Sequence, residues 1–137
     1  KMSAIITDYE IVMKDGVDPS TSTAAANLNA DRYSEIMPVT RAFMGEVLLH
    51  WVAGPVGVMK LQVSNDVGAF DDEGVNRVNS KNIVTNWITM STATIGATDS
   101  SARFHLTDIG CRWVRLFWDS TSGTGNTSSF RASFKGY

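Results

Sequence analysis

The sequence predicts an all-β fold, an antiparallel β-sandwich of jelly-roll type with about seven to nine strands and little helix. Three observations carry this. Apolar and polar residues alternate with a period of two in several short runs, the rhythm of a strand with one buried face. Gly and Pro fall between those runs, where turns belong. About seven to nine strand segments can be read, a number typical of sandwiches and jelly rolls. The 137 residues fit one domain over 1–137, long enough to bury a core without cross-links.

Taken in order, Ala4–Met13 reads as a strand with Ile5, Tyr9, Ile11 and Met13 on one face. Lys14–Tyr33 is polar and Ala-rich, a long loop over 14–34 in which Ala24–Arg32 is a candidate short helix. Phe43–Val52 is more continuously apolar and is expected to be central and covered on both sides. Gly54-Pro55 and Gly57 separate it from Val58–Ser64, where Met59, Leu61 and Val63 alternate with Lys60, Gln62 and Ser64. Asp66–Lys81 is rich in Asp, Asn and Gly and reads as a second long loop, over 66–82. Val84–Met90 and Ala93–Ala97 are weaker strand candidates. Ala102, Phe104 and Leu106 alternate with Arg103 and His105, and Thr107–Gly110 is a turn. Trp113–Trp118 is a strand rich in aromatic and branched residues, Ser120–Asn126 a hairpin loop, and Phe130, Ala132 and Phe134 alternate through the last strand.

Composition narrows the function. The formal net charge is −2, and the basic residues are scattered without a stripe, so nucleic acid is not expected as the main partner. No apolar stretch is long enough to cross a bilayer as a helix, and no secretory signal is visible, so no membrane role is expected. One cysteine and two histidines exclude an internal disulfide and the usual structural zinc site. The acidic run Asp71, Asp72 and Glu73, with Asp66 nearby, has the ligand type for calcium but lacks EF-hand spacing; a solvated loop is the preferred reading, and no metal or other cofactor is expected.

Catalytic signals are weak. His50 and His105 sit on strands, and no Gly-x-Ser-x-Gly elbow accompanies them. Cys111 begins an apolar strand and reads as a buried, inert thiol. Gly123-Thr124-Gly125 lies between two strands, where a hairpin is expected in place of a phosphate loop. The chain is therefore expected not to be an enzyme.

The most informative run is Trp113–Trp118. Alternation puts Val114, Leu116 and Trp118 on one side and Trp113, Arg115 and Phe117 on the other. If the first side is core, the second presents two aromatics and an arginine, residue types enriched in contacts between chains. The other reading has Arg115 under a covering loop within its own domain. Both readings make this strand central. Phe70, Asp71 and Asp72 join Trp113, Arg115 and Phe117 as candidate interface residues, on the long loop.

The order of motifs in the second half resembles a family of small phage virion proteins. VMKLQVSND at Val58–Asp66, Trp87 downstream, WVRLFW at Trp113–Trp118, SGTG at Ser122–Gly125 and a short last strand ending at Lys135-Gly136 carry the likeness, over roughly residues 42–136. Similar strands occur in discoidin-like, galactose-binding sandwiches. This chain departs from the pattern after Asp66, with Val67 where the family places a Gly, so that Asp66–Lys81 reads as an insertion.

The resemblance implies a β-sandwich in a virion, as capsid, head-decoration or tail component, made in the host bacterial cytoplasm. Its expected partners are other virion proteins and further copies of itself. The N-terminal 35 residues and the Asp66–Lys81 loop are the segments expected to be ordered by those partners, since Val17, Pro19 and Ser20–Thr23 suit an isolated core poorly. The alternative is a carbohydrate-binding module for host attachment, with a glycan as ligand and Phe70 beside Asp71, or Trp87 beside Asn86, as stacking candidates.

Overall fold

The computed structural model describes residues 4–17, 22–65, 84 and 86–137. The strands are β1 (Ile5–Glu10), β2 (Met13–Lys14), β3 (Arg32–Ser34), β4 (Met37–Pro38), β5 (Ala42–Val52), β6 (Val56–Ser64), β7 (Ile88–Ile95), β8 (Ser101–Thr107), β9 (Trp113–Ser122) and β10 (Asn126–Gly136). One sheet has the order β1-β10-β5-β8; the other runs β2-β3-β9-β6-β7, with β4 also paired to β9. All pairings are antiparallel.

First and last strands pair, and the pairs nest inward: β1 with β10, β3 with β9, β5 with β8, β6 with β7. A long hairpin rolled up in this way is a jelly roll. The two sheets enclose a core to which alternate residues of each strand contribute. Val47 and Leu49 come from β5, Met59 and Leu61 from β6, Phe104 and Leu106 from β8, Val114, Leu116 and Trp118 from β9, and Phe130, Ala132 and Phe134 from β10. Their intervening neighbours face outward, as the alternation predicts.

Several expectations need correction. No helix forms at Ala24–Arg32. Ala25 donates to the Met13 carbonyl, Leu28 to Gly125, and Thr127 to Ala26, so the segment is stitched in extended form between β2 and the β9–β10 loop. Leu28 is fully buried, and Trp118 Nε1 donates to its carbonyl at 2.8 Å. The weak helical preference of four alanines loses to this tertiary anchor. The described residues of the N-terminal segment are therefore held in large part by their own domain: Ile11, Met13 and Leu28 are all buried. The loop expected over 14–34 also contains β3.

β5 is central in its sheet but covered on one side only, since Leu48 and Val52 are exposed on the outer face. Val84–Met90 and Ala93–Ala97 are replaced by one strand, β7, that straddles both. Ser34, buried at the end of β3, accepts a hydrogen bond from the Leu116 amide at 2.8 Å. Its hydroxyl thereby satisfies the β9 ladder where the neighbouring strand is interrupted.

Candidate functional site: the two outer sheet faces

The outer face of the second sheet is built on β9. Trp113, Arg115 and Phe117 point outward, opposite Ser64, Gln62 and Lys60 of β6. On the other flank Phe117 is opposite Tyr33 of β3. Arg115 is 8% exposed. Its Nε donates to Gln62 Oε1 at 2.9 Å, and its guanidinium lies over the Trp87 ring at 4.3 Å and the Tyr33 ring at 5.2 Å. Burial pulls the Arg115 pKa down to about 10, with Tyr33 opposing the shift, so the side chain stays charged at neutral pH.

The rings around it are engaged in the same way. Tyr33 and Phe117 stack at 4.7 Å and 13°. Lys60 Nζ lies over Phe117 at 5.4 Å and is 3.2 Å from Asp119 Oδ2. Trp113 packs with Ile36, Val84 and Trp87 in a small second cluster, and Trp87 Nε1 donates to the Val84 carbonyl at 3.1 Å. Of the two readings open for this strand, Trp113 and Arg115 follow the second: this chain's own residues cover them. Phe117 is half-buried. Phe70, Asp71 and Asp72 lie outside the described residues.

Tyr33, Gln62 and Lys60 were not singled out from sequence. They reach Arg115 and Phe117 only through strand register. The one signal that pointed their way is that Lys60 and Gln62 occupy the wet positions of an alternating strand.

The outer face of the first sheet holds the imidazole–carboxylate pair. Glu46 accepts from Arg103 at 2.7 and 2.5 Å, and His105 Nδ1 is 2.6 Å from the same carboxylate. The Arg103 hydrogen bonds foremost hold the Glu46 carboxyl down at about 2 from an ordinary 4.5; desolvation, the next largest influence, opposes them, and His105 adds to the lowering. Such a carboxylate is a poor base at neutral pH. Ser133, next to Glu46 across the sheet, donates instead to Asp8. Burial pushes the Cys111 thiol up, away from a reactive thiolate. Among the described residues no three His, Cys, Asp or Glu side chains group closely enough to hold a metal ion.

The Glu46 arrangement sets a pH dependence. A carboxyl whose folded pKa lies below its unfolded value stabilises the fold above about 4.5, and the contribution fades as pH falls toward about 2. The melting temperature is therefore expected to fall between those values, and Glu46→Gln to flatten that slope. Equal slopes in the two proteins, followed by circular dichroism, would show that Glu46 is not responsible.

No family model matches the sequence, and no curated protein matches it. Among solved structures, the chain is similar to chitosan-binding module 1 of a chitosanase/glucanase from Paenibacillus sp. IK-5. The TM-score is 0.49 at 19% identity, covering 93% of this chain and 92% of that one. A protein of the disulfide-linked pili of Bacillus endospore appendages gives 0.45 at 14% identity, covering 98% and 84%. A low-affinity xylan-binding module from Roseburia intestinalis gives 0.41 at 9% identity, covering 97% and 95%. At these scores and identities the likenesses carry neither ligand nor partner to this chain.

Proposed function

We propose that this chain is a non-catalytic docking module that forms part of a bacteriophage particle. The observation that supports docking is the state of the sheet edges. On β1, an outer strand of the first sheet, Ile5 and Ile6 are 61% and 64% exposed. On β7, an outer strand of the second, Ile88 is 67% exposed and Met90 is also open to solvent. Edge strands present unpaired backbone donors and acceptors, and proteins that work alone tend to blunt them with charge, Pro or a covering element. Large apolar side chains there favour a protein neighbour. The virion setting rests on the resemblance of the LQVSND, WVRLFW and SGTG motifs to small phage proteins. Jelly rolls serve viral capsids and lectins alike, so the fold by itself does not choose.

A glycan-binding reading has one observation in its favour, the half-buried Tyr33, Phe117 and Trp87 beside Gln62 and Lys60 on one sheet face. Sugars stack on open ring faces. Here Arg115 lies over Trp87 and Tyr33, and Tyr33 and Lys60 lie over Phe117. This self-engagement makes docking the stronger reading.

Mass spectrometry of density-purified particles from the producing bacteria tests the proposal. The chain is expected as a repeated structural component. Its absence from particles, together with glycan-array binding lost in Trp87→Ala, would establish the second reading instead.

A further inference from the structure

The docking reading leaves the partner and the contact unnamed, and β1 supplies both. β1 pairs with β10 through six consecutive residues, Ile5 opposite Gly136 to Glu10 opposite Arg131, with no register shift. Among the described residues its other side pairs with nothing. The competing edges are less suited. The β7 ladder is broken by a register shift between Leu61 and Gln62, a feature that protects edges. β8 carries no exposed large apolar side chain, whereas β1 carries Ile5 and Ile6.

Exposed apolar side chains stand on both faces of β1 and beyond its ends. Ile5, Ile6, Val12 and Tyr137 are all open to solvent. A groove of about 220 Å³ lies between Ile5, Thr7, Arg41, Phe134 and Tyr137. A second, of about 380 Å³, follows Asp8, Glu10 and Arg131, and a third, of about 210 Å³, follows Ile11, Val12 and Ala24–Ala26. An extended strand laid along this edge would meet the unpaired backbone donors and acceptors of β1, the geometry of strand addition, with the groove at Ile5 and Thr7 beside it.

We infer that the occupant is β1 of a second copy of this chain, paired antiparallel about a two-fold axis through Thr7, joining two four-stranded sheets into one. Residues opposite one another across such a pair must lie on the same sheet face, so the axis has to pass through a residue. Centred on Asp8, the pairing sets two carboxylates against each other. Centred on Ile6, it leaves Tyr9 and Glu10 beyond the described strand of the partner. Centred on Thr7, it uses all of Ala4–Glu10. Ile5 then meets the second copy's Tyr9 twice over, and Thr7 meets its own copy. Aromatic–branched and Thr–Thr pairs of this kind stabilise sheets.

In this register no acid opposes another. Asp8 faces Ile6 and Glu10 faces Ala4 of the second copy. Lys135, the neighbour of Ile6 on β10, then lies one strand further along the same face from the second copy's Asp8. The long lysine side chain spans that spacing. The contact is isologous, so it closes at two copies and leaves every other surface free for the particle.

The full chain in sedimentation velocity, with and without Thr7→Lys, tests this. Thr7 is exposed, so the substitution leaves the core alone and its melting temperature is expected to match the parent's. The parent is expected to form dimers that strengthen with concentration. Thr7→Lys places two cations face to face on the axis and should raise the dimer Kd roughly ten-fold or more. In a Cys111→Ser background, Thr7→Cys is expected to oxidise to a covalent dimer, because only the axial residue meets itself, whereas Ile6→Cys stays largely monomeric.

A parent that remains monomeric at ~100 µM overturns the inference. So does a Thr7→Lys protein that dimerises as well as the parent, or equal cross-linking through Ile6→Cys. The chain's presence in purified particles is read separately: if it is found there, docking through another surface stands; if not, the docking reading falls as well.

Discussion

Replacing Trp118 with alanine is expected to lower stability by roughly 3–5 kcal/mol and the melting temperature by on the order of 10–20 °C. The side chain is fully buried at the centre of β9, and its Nε1 holds the Leu28 carbonyl at 2.8 Å. Two losses combine. The cavity comes from a fully buried tryptophan, and the hydrogen bond that anchors the chain at Leu28 goes with it. Trp118→Phe separates them, since it keeps most of the volume and removes the donor to the buried Leu28 carbonyl, for a cost of about 1–3 kcal/mol. Denaturant melts of both variants give the partition. A Trp118→Ala protein that melts like its parent would mean the indole does not tie the N-terminal segment to the core.

Gly57→Val is expected to cost about 3 kcal/mol, at the upper end for overpacking a well-filled site. A Cβ at this position would collide with the Asp119 carbonyl oxygen and come within 3.0 Å of the Trp118 indole. Gly57 is thus the floor on which the indole rests. Because the two positions touch, their costs should not add. In a Trp118→Ala background the smaller Gly57→Ala change should cost less than in the parent, with the Asp119 carbonyl clash remaining. Urea midpoints of the single and double variants measure this coupling, and strict additivity would count against the contact.

The parts legible in the sequence are those where a strand keeps one wet face and one buried face. β6, β8 and β10 do so, and Met59, Leu61, Phe104, Leu106, Phe130 and Phe134 all lie in the core as their spacing demands. β9 was legible as central, but its outward residues are also covered, so periodicity alone could not say by what. The sequence splits β7 into two segments because the strand is Thr-rich and exposed along most of its length, with little alternation to read. The segment before β3 failed for another reason. What orders it is a contact between residues 90 apart in the chain, Trp118 to Leu28, and local composition does not encode such a partner.

The same limit applies to the outer faces. Arg115 was visible as an outward arginine between aromatics. That Tyr33 and Trp87 would flank it depends on the pairing of β3 with β9 and on the path of the chain before β7. The open edges were invisible for a related reason: strand order, not strand sequence, decides which ladders are left unpaired.

Hydrogen exchange of backbone amides, compared between the chain diluted until it is monomeric and the chain within purified particles, tests most directly whether it works through its edges. Slowed exchange is expected at the outward amides of Ile5–Glu10 or Ile88–Ile95 once the chain is in the particle, with β5 and β9 unchanged because their ladders are already satisfied on both sides. Unaltered edges in the particle-bound chain, with protection confined to the face around Tyr33, Trp87 and Phe117, would contradict it.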